Sequence, residues 1–71
     1  MNSEAIRKLL KNQPFEPFEL CLSNGEVHRV VHPEFCIVTA NRLVLVHPQT
    51  EEMSFVSLLH LNSIRILQTA H

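Results

Sequence analysis

One set of residues in this chain combines the side chains of a metal site with a regular spacing. It consists of two cysteines and two histidines. They are separated by six, three and three positions: Cys21, His28, His32 and Cys36. Tetrahedral zinc takes thiolate and imidazole donors roughly 2.0–2.3 Å from the metal. His28 and His32 are expected on one strand, about 13 Å apart along an extended backbone, and only a sharp bend at Pro33 would let them converge. We therefore predict no metal site and no cofactor.

The same residues offer the only candidate for nucleophilic catalysis, a cysteine beside a histidine. Cys21 is predicted to face His28 across a hairpin. A reactive thiolate needs a nearby cation or a helix N-terminus that lowers its pKa, and the single glycine, Gly25, leaves no glycine-rich phosphate or oxyanion loop. The adjacent acids Glu51–Glu52 are interpreted as a solvated loop. The chain is predicted not to be an enzyme, with both cysteines acting as small hydrophobic residues.

Length and composition limit the remaining classes of function. The 71 residues are expected to form one domain, 1–71, and a hydrophobic share of 45% excludes disorder. A net charge of −1 gives no overall field that would attract nucleic acid or an anionic membrane. No apolar run is longer than the four residues of Leu43–Val46, which are too few to cross a bilayer. Without a recognisable secretory leader, we expect a bacterial-type protein in the cytoplasm with reduced thiols and no membrane partner.

Asn24-Gly25, between two apolar runs, predicts a β-hairpin. A two-residue type I′ turn is expected, because both of its central positions need positive φ. That turn fixes the strand partners as Ser23–Glu26, Leu22–Val27, Cys21–His28, Leu20–Arg29 and Phe18–Val31.

A short helix, residues 3–12, is predicted before the hairpin. Ser3 can cap it, and the apolar stripe of Ile6, Leu9 and Leu10 needs a sheet to pack against. The helix must end before Pro14. A stiff proline-containing connector then leads into the first strand.

Five or six short antiparallel strands are expected over residues 18–67. A bend interrupts the second strand at His32–Glu34, and a single helical turn near Leu59–Asn62 precedes the last strand. The pattern predicts a mainly β small barrel. Its expected core residues are Ile6, Leu9, Leu10, Phe18, Leu20, Leu22, Val27, Val31, Ile37, Leu45, Phe55, Leu58, Ile64 and Ile66.

The order of these elements resembles the Sm-like small barrel, which is also SH3-like in shape. The resemblance depends on the hairpin over 20–27, the bent second strand, Asn41 before Leu43, and a strand, short turn and strand after Met53. Sm-like proteins bind single-stranded RNA through an asparagine-containing loop and an Arg/Lys-Gly turn before the last strand. Asn41 matches the first feature, whereas the turn at 61–63 lacks glycine. The residues that the resemblance implies for RNA contact, together with nearby basic residues, are Arg29, Asn41, Arg42 and Arg65.

Four short motifs also resemble a group of uncharacterised short bacterial proteins. They are Pro14-Phe15-Glu16-Pro17-Phe18, Leu22-Ser23-Asn24-Gly25, His32-Pro33-Glu34-Phe35 and Leu58-Leu59-His60-Leu61. This resemblance spans nearly the whole chain and implies a compact bacterial domain without an assigned activity.

Two stretches, Phe35–Val38 and Leu43–Val46, are apolar on both faces of the strand. A half-exposed strand should alternate between apolar and polar residues, so either the helix or a second subunit must cover the outer face. We predict a homo-oligomer with Val38, Val44 and Val46 at the interface. The preferred function is a non-enzymatic interaction or structural module, which another protein could also bind. The alternative is an Sm-like RNA-binding protein.

Overall fold

The computed structural model describes residues 2–67. One helix is followed by six short strands, which confirms the predicted mainly β class. The elements are α1 (Ser3–Leu10), β1 (Phe18–Leu22), β2 (Val27–Val30), β3 (Cys36–Val38), β4 (Arg42–His47), β5 (Glu52–Ser57) and β6 (Leu61–Ile66). Single turns of 3₁₀ helix at Pro33–Phe35 and Leu58–His60 precede β3 and β6.

The strands form two antiparallel three-stranded sheets. The first has the order β2-β1-β6 and the second the order β3-β4-β5. Within residues 2–67 no strand pairing joins the two sheets into a closed barrel. The β5 and β6 strands therefore lie at open edges of their sheets, one on either side of the 3₁₀ turn at Leu58–His60.

The β1–β2 hairpin has a three-residue loop, so the predicted register is wrong by one residue. Gly25 N donates to Leu22 O at 3.0 Å, and Leu22 N donates to Glu26 O at 2.9 Å. Only Gly25 has positive φ here, at 92°, whereas a type I′ turn would need Asn24 there too. A type I turn followed by a left-handed glycine explains this loop. The Asn24 side chain accepts from Glu26 N at 2.9 Å and stabilises the turn.

This shift changes which residues of β2 are buried. Phe18 pairs with Val30, and Cys21 pairs with Val27 instead of His28. Because a slip of one residue exchanges the two faces of a strand, Val30 enters the core and Val27 and Val31 are exposed.

The core lies between the two sheets and α1. Its buried members are Ile6, Phe18, Leu20, Leu22, Val30, Cys36, Leu43, Leu45, Val56, Leu58 and Leu61. Leu9, Leu10 and Ile64 pack partly buried against it, as predicted. The predicted core is wrong at five exposed positions: Val27, Val31, Ile37, Phe55 and Ile66. On β4, Leu43 and Leu45 face inward. The alternate positions of β4 therefore face outward, and so do the residues of β3 and β5 that are paired with those outward positions.

The helix begins at Ser3, the first residue of the predicted helix, but its N-cap is Asn2 and not Ser3 as predicted. The side chain of Asn2 accepts from Glu4 N at 2.6 Å, and the hydroxyl of Ser3 instead accepts from Arg7 Nη1 at 3.1 Å. The helix ends at Leu10, two residues before the predicted boundary. Ile6 is fully buried, so the helix is held by tertiary packing rather than by its own propensity. No helix in residues 2–67 has the length and apolarity needed to cross a membrane.

Candidate functional site

Four polar side chains form a row where the inner faces of β2, β4 and β5 meet. The imidazole of His47 lies 2.8 Å from Ser54 Oγ. The rings of His28 and His47 are 6.0 Å apart between centroids, and His28 Nε2 lies 3.3 Å from Glu26 Oε1. We call these residues, Glu26, His28, His47 and Ser54, the polar row.

The alternation of each strand explains the position of the polar row. His28 shares the inner face of β2 with Val30, and His47 shares the inner face of β4 with Leu45. A groove of about 530 Å³ lies beside His47 and another of about 390 Å³ lies beside His28. Ser54 lines both grooves. The polar row thus separates two surface depressions at the margin of the core.

The chemistry available to the polar row is limited. A serine hydroxyl bonded to an imidazole is the first pair of a nucleophilic triad, but the histidine must also be oriented by a third group. The group that neighbours His47 is the ring of His28, and the carboxylate of Glu26 contacts His28 instead. The contacts of the polar row are thus two side-chain hydrogen bonds, His47–Ser54 and His28–Glu26, and one contact between the two imidazole rings.

The Cys/His residues of the predicted spacing take separate roles. His28 joins the polar row, and His32 packs edge-on against Phe35 with centroids 5.3 Å apart. Cys36 is buried, and burial raises the pKa of its thiol to about 11. Cys21 is half-buried on the outer face of β1, across from Val27. In the described part of the chain, no three His, Cys, Asp or Glu side chains are arranged to hold a metal ion.

The four candidate RNA contacts fall on both sheets. Arg29 and Arg65 flank Glu19 across the first sheet, with Arg29 Nε 3.0 Å and Arg65 Nη1 3.7 Å from its carboxylate oxygens. Glu19 is buried between these two arginines. Its carboxylate offsets part of their positive charge. Asn41 and Arg42 lie instead at the turn into β4 of the second sheet, where the Asn41 carbonyl accepts from Leu58 N at 2.9 Å.

Exposed and half-buried apolar side chains lie together on the outer face of the second sheet. Val44 is directly paired with Ile37 on β3 and with Phe55 on β5, and Val46 is paired with Met53. Phe55 is 67%, Met53 55% and Ile37 54% exposed. We call this set of five residues, Ile37, Val44, Val46, Met53 and Phe55, the apolar patch.

The apolar patch contains two of the three predicted interface residues. Val44 and Val46 belong to it, whereas Val38 packs against the core on the same face as Cys36. Three further members of the patch, Ile37, Met53 and Phe55, are not among the predicted interface residues, and the sequence pattern predicts Ile37 and Phe55 in the core instead. The alternation of side chains along β4 is the sequence signal for an outward-facing set of residues. Because every residue of the run is apolar, the sequence does not show which alternate positions face outward.

Comparisons with protein-family models, with curated proteins and with solved structures find no match to this chain. The resemblances to Sm-like proteins and to the group of short bacterial proteins therefore stay predictions.

Proposed function

We propose that this protein is a non-enzymatic interaction module that self-associates through the apolar patch. The observation that carries the proposal is the continuous row of Ile37, Val44 and Phe55 across three paired strands, on the face turned away from the core. Contiguous exposed apolar surface on a soluble domain marks an interaction site. The outer face of the first sheet carries the Arg29–Glu19–Arg65 group instead, so it is much more polar than the outer face of the second sheet.

Self-association also suits the size of the domain. A chain of 71 residues has little core relative to its surface. Aromatic and methionine side chains are enriched at the centres of interfaces, where each contributes a large contact area. Phe55 and Met53 are neighbours on β5, an edge strand that can also pair with another chain.

We further propose that the two sheets are halves of an SH3-like or Sm-like barrel that is open both between β2 and β3 and between β5 and β6. Three features support this interpretation: the leading helix, the interruption at Pro33–Phe35 between β2 and β3, and the 3₁₀ turn before β6. The return of β6 to pair with β1 brings the end of the fold back to its beginning. The free thiols Cys21 and Cys36 are in keeping with a cytoplasmic location, which is part of the same proposal.

Single-stranded RNA binding is the alternative function, and it has less support. Such sites combine a basic groove with stacking aromatic rings. Two of the candidate arginines, Arg29 and Arg65, share the Glu19 carboxylate, and Phe18 is in the core. A titration of the protein with a random single-stranded RNA pool at low salt tests this alternative. Saturable binding that is lost in Arg42→Ala would favour it over the interaction module.

A pair of matched substitutions tests the proposed function. Phe55→Asp introduces a charge into the apolar patch, and Val27→Asp introduces the same charge at an exposed apolar residue of the first sheet. Light scattering coupled to size exclusion should give an oligomer for the parent and for Val27→Asp, and a monomer for Phe55→Asp. Equal masses for the two variants would contradict a role for the patch. Circular dichroism establishes that both variants are folded.

A further inference from the structure

The open edge of β5 has none of the features that protect the other edge strands from pairing with another chain. Edge strands of soluble proteins carry charged residues, prolines or bulges, or are very short. Among the edge strands formed by residues 2–67, β2 contains Arg29, β6 contains Arg65, and β3 has three residues and follows the turn that begins at Pro33. Residues 53–57 of β5 contain neither a charged residue nor a proline. A groove of about 390 Å³ borders β5, so its edge faces open space.

The hydrogen bonds of the β4–β5 pair show which backbone groups of β5 point toward this edge. Just beyond the end of β5, Leu58 N donates to Asn41 O at 2.9 Å, in the same register as the β4–β5 pair. Hydrogen-bonded and non-hydrogen-bonded positions alternate along an antiparallel pair. The even-numbered residues of β5 therefore direct their backbone N–H and C=O groups toward β4. Met53, Phe55 and Ser57 direct theirs toward the open edge.

We propose that β5 pairs with β5 of a second copy of the chain, antiparallel and about a two-fold axis that passes between the two Phe55 residues. This inference deepens the proposed function and rests on it. In this register Phe55 is opposite Phe55 of the second copy, and Met53 is opposite Ser57 of the second copy. The second sheets of the two copies then form one continuous sheet of six strands, and the two apolar patches lie side by side.

The directions of the backbone groups select this register. The three residues that point toward the edge lie symmetrically about Phe55, so an axis at Phe55 gives each of them a partner within the second β5. An axis at Ser54 would place one of them opposite Glu51, and an axis at Val56 would place one opposite Leu59, and both of these residues lie outside β5. An axis midway between two residues would place each outward-pointing residue opposite an inward-pointing one, which prevents hydrogen bonding.

The side chains favour the antiparallel direction. The two Phe55 side chains lie on the same face with their Cα atoms about 5.5 Å apart, and aromatic pairs across neighbouring strands stabilise a sheet. Glu51 and Glu52 lie at the start of β5, so antiparallel pairing keeps the acidic residues of the two copies at opposite ends. Parallel pairing would place these like charges side by side, which is destabilising. Every contact of the antiparallel pair occurs twice, as a two-fold interface requires.

Proline substitution tests the backbone pairing by sedimentation equilibrium. Met53→Pro removes an N–H group that points to the open edge, a position where proline is compatible with a strand. Met53→Ala is the matched control, because it removes the same side chain and keeps the N–H group. The dimer dissociation constant should be about thirtyfold higher for Met53→Pro than for Met53→Ala, since each dimer loses two further hydrogen bonds. Val27→Pro and Val27→Ala make the same comparison at the open edge of β2 and should not differ.

Cysteine cross-linking tests the register. Met53→Cys and Ser57→Cys are introduced separately into Cys21→Ser, in which the remaining native cysteine, Cys36, is buried. In the proposed register these two positions are directly opposite each other, at a Cα separation that suits a disulfide. Each position is about 13 Å from its own counterpart in the second copy. Oxidation should therefore cross-link a mixture of the two variants, and neither variant alone, on a non-reducing gel.

The outcomes separate the strand pairing from the proposed function. A monomeric parent protein would overturn both. If the parent self-associates and Phe55→Asp is monomeric, but Met53→Pro behaves like Met53→Ala, the patch is the interface and the strand pairing is wrong. A large loss of affinity in Met53→Pro without cross-linking of the mixture would also overturn the pairing of β5 with β5, because a different strand would then bind this edge. Cross-linking of the mixture, with neither variant cross-linked alone, supports it.

Discussion

Gly25 sets the register of the β1–β2 hairpin through its backbone conformation. Its φ is 92°, and a Cβ built on it would meet no atom within 4 Å. Replacing Gly25 therefore costs backbone strain alone. Left-handed backbone costs an L-residue roughly 1–2 kcal/mol.

We expect Gly25→Ala to lower the free energy of unfolding by about 1–2 kcal/mol. Gly25→Asn should lower it less, because asparagine tolerates the left-handed region better. Urea denaturation of the two variants and the parent measures these differences at fixed protein concentration. Equal stability of Gly25→Ala and the parent would contradict a left-handed backbone conformation at this position.

Leu20 lies at the centre of the buried cluster, with no exposed surface. Leu20→Ala leaves a cavity between the sheets and should cost about 2–5 kcal/mol, which is enough to unfold much of a small domain. The control Val27→Ala removes an exposed side chain from the next strand and should change stability by less than about 0.5 kcal/mol. Thermal and urea unfolding compare the two variants. A free energy of unfolding that is unchanged in Leu20→Ala would place this residue outside the core.

Cys36 makes the stability depend on pH in the alkaline range. Its thiol pKa is raised by burial from 9.0 to about 11. Below pH 9 both folded and unfolded chains keep this proton, so Cys36 has no effect on the pH dependence there. Between pH 9.0 and about 11 the unfolded chain loses the proton more readily, and the free energy of unfolding falls as pH rises.

We therefore expect Cys36→Val to reduce the loss of stability between pH 9 and 11, measured by urea unfolding at each pH. Cys21→Val is the matched control, because it removes the half-buried thiol and leaves the buried one. The fall in stability should stay in Cys21→Val. An identical pH profile for Cys36→Val and the parent would contradict the assignment.

At the scale of elements, α1 shows how a short helix depends on its cap and on one buried side chain. Asn2 accepts from Glu4 N, whereas Ser3 contacts the Arg7 side chain. Asn2→Ala should lower the free energy of unfolding by about 1 kcal/mol, and Ser3→Ala by less. Chemical denaturation separates the two, and a larger effect at Ser3 would favour the cap that the sequence analysis predicted.

The helix, the first hairpin and the late 3₁₀ turn could be predicted because each has a local signal. Pro14 limits the helix, and Asn24-Gly25 marks the turn. The loop length could not be predicted, since Asn-Gly fits either a two-residue turn or a three-residue loop with a left-handed glycine. The core was mispredicted in β3 because the apolar run Phe35–Val38 has no polar residue to mark its outer face, and in β5 because Phe55 and Val56 are adjacent and both apolar.

For the candidate site, the sequence identified β4 as a strand with too much apolar surface. Val44 and Val46 were predicted on that ground and belong to the apolar patch. Phe55 and Met53 join the patch only through the pairing of β5 with β4. The contact between His28 and His47 likewise depends on strands far apart in sequence, and it carries no signal in residue spacing.

At the scale of the whole molecule, the two sheets present outer faces of different character. The first carries the arginines that flank Glu19, and the second carries the apolar patch with Phe55 and Met53 near its open edge. A domain with one polar and one apolar outer face can bury the apolar face by pairing with itself. The polar face then stays in water and limits further growth of the assembly.

Sedimentation equilibrium of the parent protein over a range of concentrations tests whether the chain self-associates. Specific interfaces of modest strength dissociate in roughly the micromolar range. We expect a mass that rises from monomer toward dimer as the concentration passes through that range. A mass that stays monomeric up to about 100 μM, well above that range, would contradict it.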